Sequence, residues 1–178
     1  MTASDVLAIL DRLDAAGIAW WVDGGWGVDA LLGEQTRPHH DLDFAVREQD
    51  VPRLGAILPE FREIDLHQRP SAYVLRDAQG RELDFHPLVF DEHGDGWQPQ
   101  ADGTRALWPR AALTSRGRIG GREVPCTSPE FQVEAHLYEG HDDLDWAAVT
   151  LLCERFDLPL PQGGPPGFVH ERRPRLER

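Results

Sequence analysis

The sequence has little positive charge, little cysteine and no long apolar run. Its 178 residues include 18 Lys and Arg against 31 Asp and Glu, which gives a formal net charge of −13 with histidine neutral. A nucleic-acid groove needs a basic patch, so this balance disfavours nucleic acid as a partner. Because no apolar run reaches about 18 residues, we also predict no helix that spans a membrane.

The N-terminal residues and the two cysteines both bear on the cellular compartment. Residues 1–14 lack a basic region and an uninterrupted apolar region, so we expect no secretory signal peptide. Cys126 and Cys153 lie far apart and show no metal-ligand spacing. We therefore expect a cytoplasmic protein whose cysteines are reduced and buried.

The excess of negative charge has consequences for small ligands. It repels a bare nucleoside triphosphate, so a nucleotide would have to arrive as its Mg²⁺ complex, whereas a cationic small molecule would be attracted. The alternative is that the charge only keeps the protein soluble, and on charge by itself this alternative is favoured.

The order of predicted elements indicates an α+β or α/β fold. Apolar runs bounded by turn residues predict strands at 18–22, 41–46, 73–76 and 82–88. Helical spacing predicts one helix before the first strand and further helices on both sides of the second strand. We therefore expect a mixed sheet in the first two-thirds of the chain and a helical part after it.

The remaining segments complete this organisation. Residues 91–105 are polar, with Gly and Pro and no periodicity, which predicts a long lid or binding loop. Two helices are predicted near the C-terminus, from Pro129 to Tyr138 and from Asp143 to Phe156. We thus predict three parts, which are an α/β core at 1–125, a helical part at 126–158 and a loosely ordered tail at 159–178.

Three aspartates on two predicted strands form the first candidate site. Asp41 and Asp43 share one strand face because side chains alternate along a strand, and apolar residues occupy the other face. Asp84 shows the same alternation on another predicted strand. Three carboxylates on adjacent strands can hold two Mg²⁺ ions, which clamp the attacking and leaving oxygens of a displacement at phosphorus. The alternative is that all three are ordinary solvated side chains.

Glycine, arginine and histidine residues near these aspartates are further candidates. Gly24 and Gly25 lie between a predicted strand and helix, where the backbone can approach a phosphate, although Gly-Gly is also a common turn. Arg37 would neutralise a phosphate or be a surface residue. His39 would orient a carboxylate, bind substrate or be solvated. His86, on the strand face of the third aspartate, would contact substrate or a neighbouring carboxylate.

These motifs resemble the small antibiotic nucleotidyltransferases. The resemblance covers roughly residues 3 to 156 and is strongest to lincosamide nucleotidyltransferases, followed by aminoglycoside 2''-nucleotidyltransferases. It rests on the segments DGGWGVDALLG, TRPHHDLDF, ELDFHPL and VPCTSPEFQVEAHLYEG. The resemblance implies a DNA polymerase β-like nucleotidyltransferase fold of the α+β class, with a mixed sheet flanked by helices.

Matched position by position, the resemblance implies two groups of site residues. The phosphates of the nucleotide would be held by Gly24, Gly25, Arg37 and His39. Magnesium would be held by Asp41, Asp43 and Asp84. In this family the third aspartate acts as the general base on the acceptor hydroxyl, a role that falls to Asp84.

The resemblance also bears on the acceptor. Aminoglycoside enzymes tend to carry an acidic residue two positions after the third aspartate, where it binds amines. This chain has His86 there, as in the lincosamide-like branch, which makes His86 a candidate substrate-binding residue and disfavours an aminoglycoside.

We accordingly predict a Mg²⁺-dependent nucleotidyltransferase of the antibiotic-resistance type. It would transfer an NMP, AMP from ATP, to a hydroxyl of a small cationic acceptor such as a lincosamide or aminoglycoside, and a homodimer would help to close the acceptor pocket. The alternatives are a protein-modifying or antitoxin-like nucleotidyltransferase, and a catalytically silent module that binds a nucleotide or another ligand.

Overall fold

A mixed β-sheet with flanking helices organises the protein, which a computed structural model describes for residues 1–65, 68–137 and 143–162. The helices are α1 (Ala3–Ala15), α2 (Gly24–Leu32), α3 (Val51–Ile57), α4 (Pro129–Ala135) and α5 (Asp143–Phe156). The strands are β1 (Trp20–Val22), β2 (Asp41–Arg47), β3 (Arg62–Asp65), β4 (Tyr73–Arg76), β5 (Glu82–Phe90), β6 (Gly96–Pro99), β7 (Arg105–Trp108), β8 (Ser115–Ile119) and β9 (Arg122–Cys126).

The strand order brings distant segments of the chain together. The main path of the sheet runs β3–β4–β5–β2–β1–β9–β8. β2 is parallel to β5 and β1 is parallel to β9, while the other neighbours on this path are antiparallel. β6 and β7 form a hairpin that pairs with the end of β5. This mixed sheet with flanking helices confirms the predicted α+β fold.

The hydrophobic core explains why the aspartates of β2 and β5 share one face of the sheet. Leu10 and Leu13 of α1 are fully buried in the same cluster as Leu42 and Phe44 of β2 and Leu83 of β5. Burying side chains of this size stabilises the fold by about 1.5–3 kcal/mol each. Because strand residues alternate, holding the leucines and phenylalanine in this core turns the residues between them to the opposite face.

The long loop predicted at 91–105 is wrong, because this segment contains β6 and the first residue of β7. The polar composition of this segment had indicated an irregular loop. Two aspartates instead stabilise tight turns within it. Asp91 accepts hydrogen bonds from the backbone N–H of His93 and Asp95 and from the indole of Trp97. Asp102 accepts from the backbone and hydroxyl of Thr104. Side-chain bonds of this kind make tight turns in sequences that lack periodicity.

The helical part agrees with prediction except at one end. α5 has the predicted bounds, whereas α4 ends at Ala135 rather than Tyr138. Tyr138 itself lies outside the described residues, as does the predicted tail from residue 163 onward. None of the described helices is long and apolar enough to cross a bilayer.

Both cysteines are buried free thiols, as predicted. Burial raises the pKa of the Cys126 thiol to about 12. The thiolate, which is the reactive form, is therefore scarce at neutral pH.

Candidate active site

The parallel pairing of β2 with β5 places the predicted aspartates side by side. Asp43 lies opposite Asp84 in the register, and Asp41 lies opposite Glu82. Neighbouring strands are about 4.8 Å apart, so these side chains stand beside each other on one face. Asp43 and Asp84 are half-buried and Asp41 is exposed. The structure thus brings together the three carboxylates that the sequence indicated.

The carboxylates repel one another in a partly dry environment. Burial raises the pKa of Asp43 well above its ordinary value, and the charges of Asp41, Asp84 and Asp23 raise it further. Burial also raises the pKa of Asp84, a positive charge on nearby His86 would oppose this rise, and the charge of Asp41 adds to it. Carboxylates that are partly buried and repel one another favour the binding of a cation between them.

The residues fit a hard cation such as Mg²⁺, whose preferred ligands are carboxylate oxygens. Asp84 Oδ1 is buried and has no hydrogen-bond partner within the described residues. In the same part of the chain, no group of three His, Cys, Asp or Glu side chains is already assembled as a metal site. The carboxylates would therefore have to draw together around an ion.

The glycine turn that begins α2, formed by Gly24 and Gly25, lies directly against Asp43. The backbone N–H of Asp23 donates to the carbonyl of Asp43 at 2.9 Å. Gly24 has a φ of +56°, and a Cβ at this position would lie 2.2 Å from Asp43 Oδ2. Only glycine satisfies both the backbone conformation and this close approach.

Arg37 and His39 meet the second glycine of the turn at the N-terminus of α2. A Cβ at Gly25 would lie 2.5 Å from His39 Nδ1 and 3.1 Å from Arg37 Nη2. The positive charge of Arg37 also opposes the rise in the pKa of Asp43. The predicted phosphate-site residues therefore come together, next to the backbone amides that a helix start leaves free.

His39 is a buried residue rather than a solvated one. Its Nε2 lies 2.5 Å from Asp29 Oδ2, and its ring packs on Trp26 with ring centroids 4.9 Å apart. Asp29 Oδ1 accepts from the backbone N–H of Thr36 at 3.0 Å and from its hydroxyl at 2.6 Å. His39 Nδ1 has no hydrogen-bond partner in the described part of the chain. Asp29 thus holds the loop and the imidazole against α2.

His86 lies on the half-open face of β5 together with Asp84, as predicted. Its Nδ1 is 3.2 Å from Gln98 Nε2, and its ring centroid is 5.7 Å from that of Trp108. Both contacts come from the β6–β7 hairpin, which packs beside this end of the site.

Comparison with known proteins identifies the family to which this chain belongs. A family model described as aminoglycoside-2''-adenylyltransferase matches residues 5–149. The chain belongs to this adenylyltransferase family. It is therefore a nucleotidyltransferase, and the resemblance read from its motifs is confirmed.

Two relatives show how far the similarity of this adenylyltransferase extends. A lincosamide resistance protein of Staphylococcus haemolyticus is 30% identical over 143 residues, which covers 80% of this chain and 87% of that protein. A 2''-aminoglycoside nucleotidyltransferase of Escherichia coli is 28% identical over 140 residues, covering 78% of this chain and 75% of that protein.

Solved structures agree with this assignment of the fold. A lincosamide antibiotic adenylyltransferase bound to lincomycin superposes with a TM-score of 0.74 at 28% identity, covering 85% of this chain and 96% of that one. The aminoglycoside enzyme ANT(2'')-Ia in complex with adenylyl-2''-tobramycin gives a TM-score of 0.67 at 21% identity, covering 86% of this chain and 88% of that one. The predicted nucleotidyltransferase fold is confirmed.

Sequence reasoning about this adenylyltransferase missed a buried polar group that links α4 to the site. Asp23 accepts hydrogen bonds from the hydroxyl of Thr127 at 2.7 Å and from Gln132 Nε2 at 3.0 Å. The Gln132 amide fits only because residue 27 is glycine, where a Cβ would lie 2.2 Å from Nε2. No local pattern signals these long-range bonds, whereas Asp29 did give a signal as the single acid within an apolar helix.

The three bonds that Asp29 accepts lead to a stability prediction. We expect Asp29→Ala to lower the free energy of unfolding by about 3 kcal/mol, because it leaves the partners of a buried carboxylate unpaired. Asp102→Ala is a matched control, since Asp102 binds the backbone and hydroxyl of Thr104 in the same way but is exposed. Its loss should be about 0.5–1 kcal/mol. Urea unfolding of both variants measures the difference, and equal losses would contradict the role given to Asp29.

Proposed function

We propose that this adenylyltransferase transfers AMP from ATP, in the presence of Mg²⁺, to a hydroxyl of a small antibiotic. The observation that carries the proposal is the register of β2 and β5, which sets Asp43 beside Asp84 with the glycine turn against Asp43. The relatives named above, a lincosamide resistance protein and a 2''-aminoglycoside nucleotidyltransferase, support an antibiotic acceptor. Between these two classes, His86 in place of an acid favours a lincosamide.

The nucleotide would bind at the glycine turn that begins α2. Gly24 and Gly25 let the triphosphate approach the free backbone amides at the helix start. Arg37 lies beside Gly25 and supplies a permanent positive charge to the phosphates. His39 is held at the same place by Asp29. These residues orient the α-phosphorus toward the face of the sheet that carries the aspartates.

The acceptor would be activated by Asp84. Burial raises its pKa, and a carboxylate with a raised pKa is a better base near neutral pH. Asp84 takes the proton of the acceptor hydroxyl as that oxygen attacks the α-phosphorus and pyrophosphate leaves. Asp41, Asp43 and Asp84 would hold Mg²⁺, which when bound neutralises charge on the triphosphate and on the developing transition state.

Several expectations lie outside this proposal and stay predictions. They are the division of the chain at residues 125 and 158, the homodimer, the cytoplasmic location and the lack of a nucleic-acid partner.

Mass spectrometry of reaction mixtures tests the proposed function. The purified protein is incubated with Mg²⁺ and ATP together with lincomycin or tobramycin, and separately without acceptor. We expect lincomycin to gain one adenylyl unit and to release one pyrophosphate, with less or no gain on tobramycin. Replacing ATP with each other nucleoside triphosphate measures the base preference, and omitting Mg²⁺ measures the metal requirement.

Two further measurements, labelling in a cell extract and binding of Mg²⁺-ATP to the purified protein, distinguish the alternatives. Adenylyl label on a protein in a cell extract, with none on either antibiotic, would favour a protein-modifying enzyme. Binding of Mg²⁺-ATP with no transfer to any acceptor would favour a catalytically silent module. Either result would contradict the proposed function.

A further inference from the structure

Hydrogen bonds to Trp108 and Ser71 determine the orientation of the Gln98 side-chain amide. Trp108 Nε1, which can only donate, lies 3.0 Å from Gln98 Oε1. The carbonyl oxygen of Ser71, which can only accept, lies 2.7 Å from Gln98 Nε2. Exchanging the amide oxygen and nitrogen would set donor against donor and acceptor against acceptor. The nitrogen of Gln98 therefore faces Ser71 and the oxygen faces Trp108.

This orientation determines what the neighbouring histidine does. Gln98 Nε2 has a second hydrogen, and His86 Nδ1 lies 3.2 Å from that nitrogen. An amide nitrogen only donates, so His86 Nδ1 must accept, and the hydrogen of the neutral imidazole is on Nε2. Contact between the rings of His86 and Trp108 holds the imidazole in place. His86 then offers an N–H donor on the face of the sheet that it shares with Asp84.

We infer that Gln98 is a positioning residue that determines acceptor specificity by setting His86 as a hydrogen-bond donor. The inference rests on the proposed function, in which this face receives the acceptor. A neutral N–H donor pairs with a hydroxyl or carbonyl oxygen, whereas an ammonium group has only donors of its own. The acceptor therefore places an oxygen beside His86, and an amine at that position is rejected because two donors face each other.

The variant Gln98→Glu replaces the amide nitrogen with an oxygen and changes the shape very little. It therefore removes the donor to His86 Nδ1 and also the donor to the Ser71 carbonyl oxygen. A carboxylate can accept from Trp108 but can no longer donate to His86 Nδ1. His86 Nδ1 must then carry a hydrogen to pair with it. Gln100→Glu is the matched control, because it adds the same charge in the turn of the same hairpin, where Gln100 Nε2 contacts the Gln98 carbonyl oxygen.

The ¹⁵N resonances of His86 in the ligand-free protein report this directly. We expect wild-type protein and Gln100→Glu to show hydrogen on Nε2 and none on Nδ1, and Gln98→Glu to show hydrogen on Nδ1. In turnover, we expect Gln98→Glu to lose about tenfold in kcat/KM for lincomycin, the cost of about one hydrogen bond. The loss should come through the KM of the acceptor, with the KM of ATP unchanged.

The two parts of the experiment separate this inference from the proposed function. Wild-type Nδ1 carrying hydrogen in the neutral ring would overturn the assignment of Gln98 and His86, whatever the enzyme modifies. Unchanged lincomycin kinetics in Gln98→Glu, together with an altered His86 resonance, would overturn the role in specificity. Wild-type protein that transfers to no acceptor would overturn the proposed function and with it the role in specificity, and the resonances would still decide the hydrogen-bond assignment.

Discussion

Replacing Asp43 with asparagine is expected to abolish most turnover and, at the same time, to raise the melting temperature of the ligand-free protein. Burial and the charges of Asp41 and Asp84 raise the pKa of Asp43 in the folded state. A carboxyl whose folded pKa lies above its unfolded pKa destabilises the fold once the pH exceeds its unfolded value, because the charged form is disfavoured. Asparagine keeps the shape and removes the charge.

The loss of turnover in Asp43→Asn should be about 10³-fold, which is typical of removing one group that stabilises charge in a transition state. Glu82→Gln serves as a control on the adjacent strand, where Glu82 is paired with Arg76 at 2.6 Å. Because that charge is already compensated and partly exposed, its loss should leave turnover within about twofold and leave the fold no more stable.

Differential scanning calorimetry with and without Mg²⁺-ATP checks the prediction for Asp43. Wild-type protein and Glu82→Gln should be stabilised by the nucleotide complex, since a ligand that binds only the native state raises the melting temperature. Asp43→Asn should start from a higher melting temperature and gain little. A lower melting temperature in ligand-free Asp43→Asn would show that burial and repulsion of the Asp43 charge do not destabilise the fold, and undiminished turnover would rule out Asp43 as a site residue.

The sequence predicted the face on which the aspartates lie, because alternation along a strand is a local property. Leu42 and Phe44 mark the buried face of β2, and Leu83 marks that of β5. Local alternation does not reveal that β2 and β5 are parallel neighbours. The prediction of a three-aspartate site therefore assumed that the two strands are adjacent, and the pairing of β2 with β5 places Asp84 beside Asp43.

The features that the sequence did not predict depend on bonds between distant side chains or on turns held by single aspartates. Asp23 accepts a hydrogen bond from Gln132, a residue of a helix far along the chain. The residues that flank each of them in the sequence do not indicate this bond. The hairpin that supplies Gln98 was predicted as a loop, since Asp and Gly are common to both kinds of segment. The predicted site therefore named the nucleotide-binding residues in detail, but it named only Asp84 and His86 as residues that face the acceptor.

Gly24→Ala is expected to reduce turnover about 10²-fold or more. We attribute this loss to a steric clash of the new methyl group rather than to the backbone conformation of residue 24. The methyl group would lie 2.2 Å from Asp43 Oδ2, so the carboxylate must move. Gly33→Ala separates the two effects, because Gly33 ends α2 with a φ of +80° and a Cβ there would meet nothing within 4 Å.

Both alanine variants should therefore lose about 1–2 kcal/mol of stability from the left-handed backbone conformation. Only Gly24→Ala should also lose turnover and the stabilisation by Mg²⁺-ATP, since only its methyl group displaces a carboxylate of the site. Chemical unfolding and steady-state kinetics of the two variants measure these effects side by side. Equal losses of turnover would mean that the glycine turn acts through the stability of α2. Unequal losses would mean that the close approach of Gly24 to Asp43 is itself a requirement of the site.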